Sequence, residues 1–387
     1  MVVVDVWVRA GAIQEPDQWS GMAHFLEHMI FKGTDRVAPG IFDQIVENLG
    51  GVTNAATSHD YAHFFLTTAT QYLPESLPLL AELLLHASIP DDEFGRERDV
   101  VLEELRQSED SPDWIGFQAL VESLYPRHPY GRSVLGSESL LMEYTPEQMR
   151  RFHHSYYQPD NMTVVMVGGI EKQAALDLAA DAFSTFPDLS DCPPPKIFPE
   201  PPLTGIRRQE LCLPRLEQAR LMMAWAGPGV QQLREAYGLD LLSVLLGEGR
   251  TSRLVRELRE ERGLVQMVSS GFSLQRESSL LTITALLDAE NLDRVEAIIC
   301  DRISQLGSQP VSELELARCQ RLLCNDYAFS TETPGQLAGL YGYYFTVSRP
   351  ELSVTYPEHI QSFRPEELQV LAQKYVSPYR YAVTVLK

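Results

Sequence analysis

Apolar and polar residues alternate at the start of the chain, where Val4, Val6 and Val8 interleave with Asp5, Trp7 and Arg9. A two-residue period predicts a strand. The segment "SGMAHFLEHMIFKG" (residues 20–33) and the following "FDQIVENLG" then predict two helices. Next, "VTNAATSHDYAHFFLTTA" (52–69) predicts one long strand. Three further helical patterns follow: "LPESLPLLAELLLHAS", "DDEFGRERDVVLEELRQSE" and "SPDWIGFQALVESLY". Strands separated by several helices, and not alternating singly with them, predict an α+β fold of sandwich domains, a mixed antiparallel sheet packed by helices.

The stretch "DCPPPKIFPEPPLTG" (191–205) is rich in proline. Proline locks φ and lacks an amide donor, so this is an extended, semi-rigid linker. It divides the chain into an N-terminal domain, residues 1–190, and a C-terminal domain, residues 206–387. The two are related. "TPEQMRRFHHSYYQPDNMTVVMV" (from Thr145) aligns without a gap on "RPEELQVLAQKYVSPYRYAVTVL" (from Arg364), with Pro146, Glu147, Tyr156, Pro159 and Val164 repeated as Pro365, Glu366, Tyr375, Pro378 and Val383. Each copy predicts a proline-started helix, a turn and a closing strand, which makes the fold a duplication.

Composition narrows the function. A formal charge of −21 excludes a nucleic-acid surface, which needs clustered Lys and Arg. It suits a solvated acidic surface, or attraction of cationic ligands. No apolar run approaches the roughly 20 residues of a membrane span. Five cysteines without a CxxC pair point to a reducing compartment, hence the cytoplasm. The chain opens directly on a strand pattern, which raises the expectation of a segment preceding Met1.

The candidate chemistry lies in the first helix, as His24-x-x-Glu27-His28. At roughly 100° per residue the three side chains share one arc of the helix. Two imidazoles one turn apart can face one ion, and a catalytic zinc keeps a position open beside its protein ligands. Two satisfied core histidines are the competing reading; the inverted His-x-x-Glu-His order is a zinc-peptidase signature. A third ligand is sought in "EFGRERDVVLEELRQ". There Glu97 and Glu104 fall in the stripe of Phe94, Val101 and Leu105, while Glu103 points away. Buried carboxylates need a partner. Glu104 is therefore the expected third ligand and Glu97 the expected partner orienting a histidine, against a reading of both as exposed helix acids. His59 and His63 share the i, i+4 spacing but would lie roughly 13 Å apart along a strand. His128, His153 and His154 lack ligand spacing.

With "GGVTNAATS", "ERDVVLEEL", "HPYG" and "GEGRTSRLVRELREERGL" added to "GMAHFLEHMIFKGT", the chain resembles the M16 (pitrilysin-type) zinc metallopeptidase family along essentially its whole length. The likeness is strongest to the short two-domain class that includes the mitochondrial processing peptidase subunits. The resemblance implies one zinc ion per chain on His24, His28 and Glu104, with Glu27 as general base and Glu97 in support. It implies that Asn54 and Ala55 lie on an edge strand that receives an extended peptide as an added strand; an ordinary interior strand is the alternative.

The family also carries an Arg and a Tyr seven residues apart in its second half. Here Arg259 matches, but Gln266 stands at the tyrosine position; without the resemblance Arg259 reads as a solvated residue. The expected protein is a zinc endopeptidase acting on short or unfolded peptides in an enclosed chamber, with basic peptides favoured by the acidic balance. It would work as a dimer, either of two copies or with a paralogue supplying the Arg/Tyr pair. The rival expectation is a non-catalytic subunit of the same fold.

Overall fold

In the computed structural model, which describes every residue except Arg215, the opening alternation forms strand β1 (Val2–Val8), buried along its whole length. The first half continues through α1 (Met22–Ile30), α2 (Ile41–Asn48), β2 (Val52–Thr57), β3 (Ala62–Thr68), α3 (Leu73–His86), α4 (Asp91–Glu109) and α5 (Pro112–Leu124). It closes with α6 (Glu138–Glu143), α7 (Pro146–Tyr156), β4 (Met162–Gly168) and α8 (Lys172–Ala182). Beyond the proline-rich linker come β5 (Arg207–Leu211), β6 (Ala219–Pro228), α9 (Leu233–Gly247), β7 (Met267–Leu274), β8 (Ser278–Leu287) and α10 (Leu292–Ser308). Then follow α11 (Glu313–Phe329), α12 (Pro334–Val347), α13 (Glu351–Gln361), α14 (Pro365–Tyr375) and β9 (Ala382–Leu386). The α+β class is as the pattern predicts.

The expected long strand 52–69 is instead the hairpin β2–β3, antiparallel with Ala55 opposite Phe64. The reversal is made by Ser58, His59, Asp60 and Tyr61, where the Ser58 amide donates to the Tyr61 carbonyl at 2.7 Å. A turn built from Ser, His and Asp lacks the Gly or Pro that would have announced it.

The residues form two compact units. One comprises Met1–Gln107, Arg132–Ile197 and Ser330–Ser353; the other comprises Ser108–Gly131, Phe198–Phe329 and Val354–Lys387. The expected halves supply most of each, but α5 lies with the second sheet and α12 with the first. The first unit holds a four-stranded sheet in the order β2-β3-β1-β4. α12 packs on β1 and β4, close enough that a Cβ on Gly342 would strike the Trp7 indole. On that face Asp5 accepts from His63 Nδ1 at 3.0 Å, so the buried carboxylate is satisfied.

The second unit's sheet runs β5-β9-β6-β8-β7, with β5 parallel to β9 and the other pairs antiparallel. Read from β7, its first four strands repeat the order and pairing of β2-β3-β1-β4, and β5 is an addition. The repeated terminal segments become α7 with β4 and α14 with β9. α7 opens on a capping box between Thr145 and Gln148, whereas at the start of α14 only the Arg364 amide is capped, donating to the Glu367 carboxylate at 3.0 Å; both helices carry Pro in the first turn.

Candidate metal centre

α1 buries Met22, Ala23, Phe25, Leu26, Met29 and Ile30, which fixes the face its polar residues present. Its N-terminal residue Gly21 has φ 95° and offers no capping side chain. A Cβ there would lie 2.7 Å from Gly136 Cα, so only glycine suits both the conformation and the approach. The cap comes from elsewhere: the Glu15 carboxylate accepts the Gly21 amide at 3.0 Å and the Ala23 amide at 2.8 Å. Burial drives Glu15 upward, to about 8, against the pull of those amides and of Arg132.

α4 starts on Asp91, Asp92 and Glu93, acids favoured at a helix N-terminus. It buries Phe94, Glu97, Val101, Leu102 and Leu105. The Phe25 and Phe94 rings, 4.7 Å between centroids, join it to α1. This packing brings Glu104 Oε2 to 3.5 Å from His24 Nε2 and 3.4 Å from His28 Nε2. One donor atom from each of the three residues lies within 4.8 Å of the others.

That spacing fits a cation. Zinc bonds of about 2.0–2.1 Å in a tetrahedron set neighbouring donors roughly 3.3 Å apart, and zinc accepts imidazole nitrogen and carboxylate oxygen together. The electrostatics agree. Burial lowers the His28 imidazole, but hydrogen bonds to Glu104 and Glu97 outweigh it and raise the ring to about 9. The two histidines in turn hold the Glu104 carboxyl well below its usual range. The pocket thus stabilises positive charge at its centre. His24 Nδ1 is buried with no hydrogen-bond partner among the described residues, so nothing on that side fixes its ring as Glu97 fixes His28.

Glu97 and Glu104 stand on one helix in different surroundings. The Glu97 side chain is 9% exposed and that of Glu104 is 43% exposed, so Glu104 faces an opening, not the core. Glu97 Oε1 accepts from His28 Nδ1 at 2.9 Å, which turns His28 Nε2 toward Glu104. Lys32 Nζ donates to Glu97 Oε2 at 2.6 Å. Burial raises Glu97, but His28 and Lys32 bring its carboxyl net downward. Glu103 is exposed and, among the described residues, reaches Arg106 and Gln107.

Glu27 approaches β2, where the Thr57 hydroxyl donates to its Oε2 at 2.5 Å. β2 ends its sheet. The Ser58–Tyr61 bond sets the ladder's parity, so the main-chain groups of Thr53, Ala55 and Thr57 point to the free side. Asn54 Oδ1 accepts the Ala55 amide there at 2.9 Å. The sequence therefore brings His24, His28, Glu104, Glu97 and Glu27 together, with Asn54 and Ala55 on the adjoining edge. Arg259 belongs to the second unit, on the helical segment Val255–Glu261, paired with Glu260 at 3.2 Å. Gln266 precedes β7, its amide donating to the Leu286 carbonyl.

Three of the other histidines make structural hydrogen bonds. His59 Nε2 meets the Arg132 carbonyl, His153 Nε2 the Leu84 carbonyl, and His128 Nδ1 accepts the Tyr130 amide. Three residues of the centre escaped the sequence reading: Glu15, Lys32 and Thr57. Lys32 carried a signal, four residues after His28 and so on the same helical face.

Two copies of one α+β sandwich, the first bearing a His, His, Glu donor cluster, define the class. The family model "Insulinase (Peptidase family M16)" matches residues 1–138, and "Peptidase M16 inactive domain" matches residues 143–323. The chain belongs to the M16 peptidase family. It is 29% identical over 390 residues to "Zinc protease PqqE" of Helicobacter pylori, covering 100% of this chain and 88% of that protein. It is 28% identical to "Uncharacterized zinc protease YmxG" of Bacillus subtilis, covering 86% of this chain and 80% of that one. The crystal structure of a protease from Helicobacter pylori superposes with a TM-score of 0.93 at 28% identity, covering 100% of this chain and 93% of that chain.

Proposed function

We propose that this chain is a zinc-dependent endopeptidase. The observation that carries the reading is the convergence of His24, His28 and Glu104 from two helices, with Glu27 next to His28 in α1 and held by Thr57. His24, His28 and Glu104 would hold the ion. Bound there, zinc supplies Lewis acidity that makes water nucleophilic near neutral pH and polarises a carbonyl.

Glu27 accepts a proton from the attacking water as the new C–O bond forms. It returns that proton to the amine nitrogen as the C–N bond breaks. Glu97, braced by Lys32, keeps the His28 ring in one tautomer and orientation. The free side of β2 offers main-chain donors and acceptors to an extended peptide, so short or unfolded chains are the substrate class. The acidic balance favours basic ones. Because Gln266 lacks a phenol, a second M16-type chain bearing the Arg/Tyr pair would complete the oxyanion support.

The test compares wild type and Glu27→Gln, zinc-loaded, alone and mixed with an M16-type paralogue, on a quenched peptide. The variant is expected to keep its zinc and lose about 10²–10⁴ in kcat. Equal cleavage by both proteins would refute the assignment. A zinc-loaded wild type that cleaves nothing with or without a partner would favour a non-catalytic subunit.

A further inference from the structure

Thr57 sits at the end of β2 and belongs to two systems at once. Its main chain points to the free side of the sheet, by the same parity that turns Ala55 outward. Its side chain lies on the opposite course. The strand alternates exposed and half-buried positions, and Thr53, Ala55 and Thr57 share the half-buried face, the face toward α1. From there the hydroxyl donates to Glu27 Oε2 at 2.5 Å. A donor on an ionised carboxylate makes one of the stronger hydrogen bonds available to a protein.

This contact distinguishes the two oxygens of Glu27. Oε2 is engaged by Thr57, which leaves Oε1 as the atom free to take a proton. A carboxylate on a freely rotating Glu side chain would spread over several rotamers, and holding it costs side-chain entropy. β2 is anchored to β3 through six residue pairs, from Val52–Thr67 to Thr57–Ala62. The hydroxyl is therefore delivered by a fixed strand and not by a loop. Thr53, two residues earlier on the same face, spends its hydroxyl on the Phe65 carbonyl within the sheet. Thr57 alone of the two reaches across to α1.

We propose that Thr57 is a positioning residue for the peptidase reaction: it orients Glu27 through Oε2 and ties that orientation to the strand edge on which a peptide would pair. The inference rests on the endopeptidase reading, and the experiment separates the two. A peptide hydrogen-bonded to the free side of β2 would fix the segment carrying the Thr57 main chain, and thereby the hydroxyl that aims the base. Thr57 is expected to govern turnover and not metal retention or peptide affinity.

The experiment measures zinc content, kcat and KM on one quenched peptide for wild type, Glu27→Gln, Thr57→Val, Thr57→Ala and Thr57→Ser. Valine keeps the branched shape that suits a strand, and the alanine and serine pair repeats the comparison with smaller side chains. All are expected to retain zinc. Thr57→Val and Thr57→Ala should lose about 10- to 100-fold in kcat, the scale of a misplaced catalytic group, with KM within about twofold. Thr57→Ser should recover to within about threefold of wild type. The proposal is overturned if Thr57→Val turns over like wild type, if serine is as slow as valine, if the loss falls in KM alone, or if zinc is lost. Wild type no faster than Glu27→Gln, both alone and mixed with the M16-type paralogue, would instead remove the peptidase reading and this inference with it.

Discussion

The two sheets share one strand order, yet the helix that follows the equivalent strand differs completely in chemistry. After β1 comes α1, where His24, Glu27 and His28 interrupt an apolar helix. After β6 comes α9, buried through Ala236, Tyr237, Leu239, Leu241, Leu242, Val244, Leu245 and Leu246. Its half-buried acid, Asp240, accepts from the Tyr356 hydroxyl at 2.5 Å, and desolvation raises it to about 6. No second donor cluster occurs among the described residues. The second unit thus demonstrates that this fold is satisfied by an ordinary apolar helix at that place. The polar groups of α1 are additions that the fold does not need, each costing about 1–3 kcal/mol if left unpaired in the interior. Glu97, braced by Lys32, pairs His28, and Thr57 pairs Glu27, while Glu15 satisfies the helix's first amides.

The largest effect should come from returning the first unit to the state of the second. Glu104→Ala removes the donor that α4 contributes, and stoichiometric zinc should be lost on dialysis, with cleavage falling to background. Glu103→Gln is the matched control. Its parent side chain is exposed and, among the described residues, touches Arg106 and Gln107, so zinc content and activity should stay within about twofold. Elemental analysis of the two dialysed proteins decides the matter. Zinc retained by Glu104→Ala would break the contrast between the units.

A smaller effect is expected one layer out. Glu97→Gln keeps the side chain's shape but removes the charge that orients His28, and zinc affinity should fall about 10- to 100-fold. Lys32→Met should move affinity in the same direction and by less, because it removes only the brace on Glu97 Oε2. Competition with a chromophoric chelator reads both. A Lys32→Met loss exceeding that of Glu97→Gln would mean that lysine acts on the centre by some other route.

Much of this was legible in the chain. The i, i+4 histidines and the intervening glutamate specify one helical face, and the seven-residue spacing of Glu97 and Glu104 specifies another. The pattern could not report how two sheets would be covered. α5 and α12 look like any amphipathic helices, and which sheet each joins is a matter of tertiary packing. The β2–β3 turn was hidden because Ser58 and Asp60, common turn residues, stand there without a Gly or Pro to break the strand pattern on either side. Glu104 was read as lying within a buried stripe; it lines an opening, since helical angle fixes direction and not depth. Thr57 and Glu15 act across chain separations that no local spacing encodes, and Glu15 is one acid in an otherwise unremarkable "AIQEPDQW".

Glu15 gives the subtlest contrast, one of stability against pH. In the folded chain burial lifts its carboxyl from the usual 4.5 to about 8, so the native state holds a proton that the unfolded chain releases. The stability it contributes is complete below about pH 4.5 and is lost as pH rises through 8. Between those limits the thermal midpoint of wild type should decline. Glu15→Gln cannot titrate there, and it offers one acceptor oxygen where the acid offers two, one to each of the Gly21 and Ala23 amides. That variant should be less stable at pH 5, by an unsatisfied hydrogen bond's worth of about 1–3 kcal/mol. Its midpoint should also vary less between pH 5 and 8, so the two melting curves converge as pH increases. Asp240, raised to only about 6, predicts a shallower decline confined to lower pH. Melting temperatures that decline in parallel for both proteins across this window would show that Glu15 is already ionised when folded. The N-terminus of α1 would then be held by a charged cap that Arg132 and the two amides are sufficient to keep deprotonated.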